Sequence, residues 1–225
     1  MTDTEVAEQA RQRRGIWITV AALVVVISVI VGGFVRQFIG PQPIDPKWLE
    51  AHSTYLFDKP RVFDPVSLIN KDGDTYTGAD FEGAWNFVFF GFTYCPDICP
   101  TTMAQLGSVY KQLSDSAAAL PVRVHLVTVD PARDTPQLLK GYVEHFNADF
   151  NALTGDFLDI HRFATQLNTP FRKVIDQNDP DTYTVDHSGN IVIINPKGHY
   201  AGFIRAPFDN EKLLRVIERV RLQPY

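Results

Sequence analysis

Twenty consecutive residues without a charge, Ile16 to Val35 (IWITVAALVVVISVIVGGFV), constrain this chain more than any other feature. As a helix rising about 1.5 Å per residue, the run spans roughly 30 Å, the hydrocarbon thickness of a bilayer. Trp17 stands at one end, where an indole suits the membrane interface. Arg11, Arg13 and Arg14 precede the run and Arg36 follows it, so the positive-inside rule places the N-terminus in the cytoplasm. A cleaved secretory signal would have a shorter apolar region ending in an A-x-A-like site, which the run lacks. Asp3, Glu5 and Glu8 disfavour a mitochondrial transit peptide, which is poor in acids. The expected organisation is a single-pass protein of a bacterial inner membrane. Residues 1–15 form a cytoplasmic tail, 16–35 the transmembrane anchor, 36–56 a linker and 57–225 one periplasmic domain.

The linker contains Gly40 to Pro46 (GPQPIDP), a proline-rich spacer that holds a domain off the membrane. Beyond it, Trp85 to Phe92 is nearly continuous in apolar and aromatic residues, as in a central strand covered on both faces. A second such strand is expected over Val122–Val129. Between them, Pro100 is placed to open a helix through Met103, Leu106, Val109, Tyr110 and Leu113. Thr135 is the expected N-cap of a helix reaching Phe146, and a shorter helix is expected over Asp156–Leu167. Ile191–Ile194 and Tyr200–Ile204 read as a β-hairpin around Asn195-Pro196-Lys197-Gly198, and a smaller hairpin is expected around Lys71–Asp74. Asp209–Val220 closes the chain as an amphipathic helix. Strand, helix, strand, helix, hairpin, helix is the order of an α/β sandwich of thioredoxin-like architecture.

The net charge is −5, and the acidic excess lies beyond the slightly basic leader. No basic stripe occurs there, which argues against a nucleic-acid partner. Only two cysteines are present, Cys95 and Cys99, directly after the first buried strand. A disulfide between them would close almost no loop and add little stability. Two thiols are also too few for a four-thiolate zinc site. At a helix mouth, orphan N–H groups and the dipole favour thiolate, the form that attacks disulfides and binds metal. The C-x-x-x-C spacing differs from the C-x-x-C of thioredoxin-type redox pairs. Soft thiolates suit Cu(I), and an added imidazole would hold Cu(II) as well.

Six histidines could supply that imidazole. His52 precedes the core, His125 lies within a buried strand, His145 and His161 fall on helices, and His199 sits in a hairpin turn. His187 comes just before the hairpin strand, and in thioredoxin-like folds that loop lies against the reactive turn. Position alone leaves it open between a ligand and an ordinary turn residue. Asp186 beside it is a candidate partner for its ring, or again a turn residue.

Three segments resemble the Sco (SenC) family of copper-delivery proteins. Gly91 to Pro100 (GFTYCPDICP) looks like that family's copper-site motif, Val129 to Thr135 (VDPARDT) like its second signature, and Val185 to Ser188 (VDHS) like its histidine-bearing third. They occur in the family's order, and the likeness runs from about Phe57 to the C-terminus. Tyr94 stands where many members have histidine. The resemblance implies copper, as Cu(I) or Cu(II), held by Cys95, Cys99 and His187. It also implies a metallochaperone that delivers copper to the binuclear copper A site of cytochrome c oxidase subunit II. A different use of the same residues is a thiol–disulfide reductase, with Cys95 and Cys99 keeping the target's cysteines reduced. Whether the chain is an enzyme depends on that choice. Either role implies a further periplasmic partner, a copper chaperone or a thiol reductant.

Overall fold

The computed structural model describes residues 3–39, 43–113, 119–175 and 183–223. In chain order the helices are α1 (Asp3–Ile39), α2 (Pro46–Ala51), α3 (Ile98–Tyr110), α4 (Pro136–Phe146), α5 (Phe157–Gln166) and α6 (Asn210–Val220). The strands are β1 (Thr54–Arg61), β2 (Ser67–Asn70), β3 (Thr75–Thr77), β4 (Trp85–Gly91), β5 (Val122–Thr128), β6 (Asn151–Thr154), β7 (Arg172–Ile175), β8 (Tyr183–Asp186), β9 (Ile191–Ile194) and β10 (Tyr200–Ile204). The chain divides into two compact units, Met1–Gln42 and Pro43–Tyr225.

The first unit is the single helix α1. Its Arg13–Phe34 stretch is long and apolar enough to cross a membrane, and its side chains there are exposed. By length and composition the stretch is consistent with a membrane anchor or a signal sequence.

In the second unit, eight strands form one sheet in the order β1-β10-β9-β4-β5-β6-β2-β3. The β4–β5 and β5–β6 pairs are parallel, whereas β4–β9, β9–β10 and β1–β10 are antiparallel. Every residue of β4 is buried, as its continuous apolar run requires of a strand covered on both faces. Phe87, Val88, Phe89 and Phe90 meet Leu126, Val127, Val192 and Ile193 in the core. One β4 position is polar: Asn86 donates to the carbonyls of Phe81 and Ala84, at 2.7 and 2.9 Å. Its side-chain oxygen lies 3.0 Å from His125 Nε2, so the buried histidine of β5 has a core partner.

Helix ends follow their capping residues. Thr135 caps α4, Asp156 caps α5 and Asp209 caps α6, each accepting a first-turn backbone N–H. The start of α3 differs from the sequence expectation. The helix begins at Ile98, and Pro100 is its third residue rather than its first. Residues 46–56, which the sequence reading leaves in the linker, form α2 and the first residues of β1, which pairs with β10 along the sheet edge. β1, β6 and the separate two-stranded sheet β7–β8 lack a clear sequence signature. The last is short and largely exposed, with no alternation to betray it.

Candidate metal centre

Cys95 follows β4 by four residues, and Cys99 is the second residue of α3. Asp97 occupies the N-cap of α3, yet its side chain makes no capping bond. The backbone N–H groups of Asp97 and Cys99 instead donate to the Cys95 sulfur. The sulfur lies in the positive field of the helix N-terminus.

The two thiols differ. The Cys99 thiol donates to Cys95, and this is the main reason that Cys95 is held at about 4; burial opposes it, while His187 and the two backbone donors add to it. The same bond and burial push the Cys99 thiol far above its ordinary value. The two thiols are coupled, the half-buried Cys95 being lowered and the buried Cys99 raised.

Room for the inner sulfur comes from Gly91, the last residue of β4. A Cβ there would lie 2.9 Å from Cys99 Sγ and 2.8 Å from the Phe89 ring.

His187 is carried to the pair by β8. Its Nε2 lies 3.4 Å from Cys99 Sγ. Its Nδ1 lies 3.0 Å from the Ser188 carbonyl, so Nε2 is the nitrogen turned toward the sulfurs. The rings of Phe89 and Phe92 meet the imidazole edge-on, at 6.0 and 5.7 Å. Asp186 does not orient this ring as the sequence allowed: its carboxylate accepts from Arg172 at 3.1 Å on the exposed side of the hairpin. The following loop is pressed against α3, because a Cβ at Gly189 would lie 2.7 Å from Ile98 Cδ1.

The ligand atoms of Cys95, Cys99 and His187 all lie within 4.8 Å of one another. Two sulfurs and an imidazole nitrogen at that separation can converge on one soft metal ion after sub-ångström adjustments. Among the described residues no other cluster of three such side chains occurs. Beside it, an open groove of about 490 Å³ is lined by Pro170, Phe171, Arg172, Asp186, His187 and Ser188.

The Asp130–Thr135 segment after β5 makes contacts of its own near the cysteines. Asp134 is buried and accepts from Thr93 N (3.2 Å), Thr93 Oγ1 (2.5 Å) and Thr128 Oγ1 (2.6 Å). Burial raises its carboxyl above the usual range, against the pull of those three donors. It thereby ties the loop leading to Cys95 to the end of β5. Arg133 pairs with Asp130 and spreads against the rings of Tyr94, Phe92 and Tyr183.

Comparison with known proteins gives the same picture. Residues 57–221 match the SCO1/SenC family. A protein of Stutzerimonas stutzeri is 34% identical over 172 residues, covering 76% of this chain and 83% of its own. Among solved structures, Arabidopsis thaliana ScoI with copper bound superposes with a TM-score of 0.65 at 29% identity, over 72% of this chain and 99% of that one. Yeast Sco1 with copper bound gives 0.64 at 27% identity, over 73% and 91%.

Proposed function

This chain belongs to the SCO1/SenC family, and from that premise we propose that it binds copper through Cys95, Cys99 and His187 and delivers it to the binuclear copper A site of cytochrome c oxidase subunit II. The observation that carries the reading is the convergence of three donor atoms within 4.8 Å at the end of a central strand. Copper is cargo here, and the site must hold it tightly yet surrender it by ligand exchange. Cys95, the half-buried thiolate, meets the ion first. Cys99 loses its proton as it becomes the second ligand, and His187 Nε2 closes the site. In release, an incoming sulfur or nitrogen of the target attacks from the Cys95 side, since Cys99 is buried beneath Gly91 and Phe89.

In the same reading, residues 1–15 lie in the cytoplasm, 16–35 cross a bacterial inner membrane, and the domain works in the periplasm. Support comes from the apolar length of α1 and from three arginines before the run against one after it. A periplasmic copper chaperone is the expected source of the ion. Mixing the full chain in detergent, half of it loaded with Cu(I) and half with Cu(II), with the metal-free copper domain of subunit II tests delivery of one ion of each kind. The seven-line spectrum of a mixed-valence copper pair should grow in the target as this chain loses its metal. Copper that stays with the chain at equilibrium would refute delivery.

The unequal thiols favour one further use of the site, as a thiol–disulfide reductase. Cys95 thiolate would attack a target disulfide and form a mixed disulfide, expelling one target thiolate. Cys99 would then give up its proton, attack the Cys95 sulfur and release the second target thiol. Two electrons pass to the target and leave a Cys95–Cys99 disulfide, which a periplasmic thiol reductant must reduce again. His187→Ala separates the two uses, because exchange needs only the sulfurs whereas tight Cu(II) binding needs the imidazole.

A further inference from the structure

His187 reaches the cysteines on a hairpin that is not part of the main sheet. Among the described residues β7 and β8 pair only with each other, in register Arg172↔Asp186 to Ile175↔Tyr183. Phe171 and Val185 pack on the core beneath the hairpin. Apolar packing of that kind resists separation but has little directional stiffness. The described polar ties from β8 to the body of the domain converge on Asp130 and Arg133.

These ties form one assembly. The Tyr183 hydroxyl donates to Asp130 Oδ1 at 2.9 Å. Arg133 donates through Nε to Asp130 Oδ2 and through Nη1 to the Tyr183 carbonyl, the latter at 3.4 Å. The guanidinium carbon lies 3.9 Å from the Tyr183 ring centre and 4.9 Å from that of Tyr94, the residue before Cys95. It lies 5.8 Å from the Phe92 ring, whose edge meets His187. Lys173 Nζ lies 3.5 Å from the Tyr183 ring centre. Asp130 is itself fixed, since its N–H donates to Thr128 Oγ1 at 2.9 Å. One arginine therefore touches the histidine hairpin, the residue beside the first cysteine and the ring behind the imidazole.

We propose that Arg133, with Asp130 and Tyr183, is a positioning device that sets the register of His187 against the cysteine pair. The inference rests on the copper reading above and assigns the work of keeping the nitrogen ligand in place. The division of labour is specific. Asp134 holds the cysteine loop, and Arg133 holds the histidine hairpin. Loss of Arg133 accordingly moves the nitrogen ligand more than the sulfurs, which lose the Tyr94 stacking but keep the Asp134 anchor of their loop. A planar fork is needed to donate to a carboxylate and a carbonyl while stacking on a ring, so lysine is a poor replacement.

The test uses the reduced full chain in detergent, loaded with Cu(II). Wild type, Arg133→Met, Arg133→Lys and Tyr183→Phe are compared, with Arg215→Met on the exposed face of α6 as control. Readouts are the Cu(II) dissociation constant by chelator competition, nitrogen coupling in the electron paramagnetic resonance spectrum, the alkylation rate of metal-free Cys95, and the thermal midpoint. Arg133→Met should weaken Cu(II) by about tenfold or more and reduce the nitrogen coupling, while Cys95 alkylation stays within about twofold of wild type. Arg133→Lys should restore only part of the affinity, Tyr183→Phe should show a smaller loss, and Arg215→Met none. Wild-type affinity and coupling in Arg133→Met would overturn the proposal. So would a parallel collapse of Cys95 reactivity and the thermal midpoint, which would mark a general folding role. If wild type itself showed no nitrogen coupling, the ligand assignment of His187 would fail first and this inference with it.

Discussion

A Cβ placed on Gly91 would lie 2.9 Å from the Sγ of Cys99. The last residue of the central strand and the second sulfur of the cluster are thus in direct contact, and glycine is the side chain that allows it. Gly91→Ala must displace the sulfur, the Phe89 ring or Leu126, all of them fully buried. Overpacking of this kind costs about 1–3 kcal/mol. Denaturant unfolding of the full chain should register that loss, and copper affinity should fall with it.

Gly189 and Ile98 make the matching contact on the histidine side. Gly189→Ala places a methyl 2.7 Å from Ile98 Cδ1, the free end of a side chain. The single variant should bind Cu(II) more weakly. Adding Ile98→Val removes the clashing carbon, and the double variant should recover most of the affinity. Additive losses in a double-mutant cycle would contradict the contact.

Cys95 is held at about 4 chiefly by the thiol of Cys99. Its thiolate, and so its reactivity, should be fully present at neutral pH and should decline only as the pH falls through about 4. An ordinary cysteine loses reactivity below about 8.5. Iodoacetamide labelling read by peptide mass spectrometry should find Cys95 modified at pH 6 and Cys99 protected. Cys99→Ala removes the main donor and should move the Cys95 profile upward.

His125 is fully buried, and burial, with the Arg123 charge second, depresses it from 6.5 to about 3. The unfolded chain then binds this proton more readily than the folded one. Its contribution is fully present above about pH 6.5 and is lost as the pH falls toward 3, at about 1.4 kcal/mol per unit. Between pH 6.5 and 5 the wild type should lose correspondingly more stability than His125→Gln, as measured by denaturant midpoints. Equal slopes would place the titration elsewhere.

Much of this architecture is legible in the residues because each signal has a local cause. β4 is a charge-free run, α4 begins at a threonine followed by proline, and the β9–β10 hairpin is punctuated by Asn195-Pro196-Lys197-Gly198. The cysteine pair stands out for its place after a buried strand. His187 is less legible: its place before the hairpin strand and the likeness of Val185–Ser188 to a family signature single it out, but its partners lie 88 or more positions away. The β7–β8 hairpin is hidden for the same reason: it is held by Tyr183, Asp130 and Arg133, and such long-range contacts leave no periodicity. The start of α3 also escapes a local rule. Pro100 is tolerated in the first turn, and no side chain at the N-cap Asp97 bonds a first-turn N–H to mark the start.

The most direct test of the central claim is a copper titration of the reduced full chain, followed by absorption and electron paramagnetic resonance, with His187→Ala alongside. One copper per chain, thiolate-to-copper charge-transfer bands and nitrogen coupling are expected in the wild type, with loss of that coupling and weakened Cu(II) binding in the variant. Absence of a stoichiometric site in the wild type would contradict copper binding, and an unchanged spectrum in His187→Ala would contradict the ligand set.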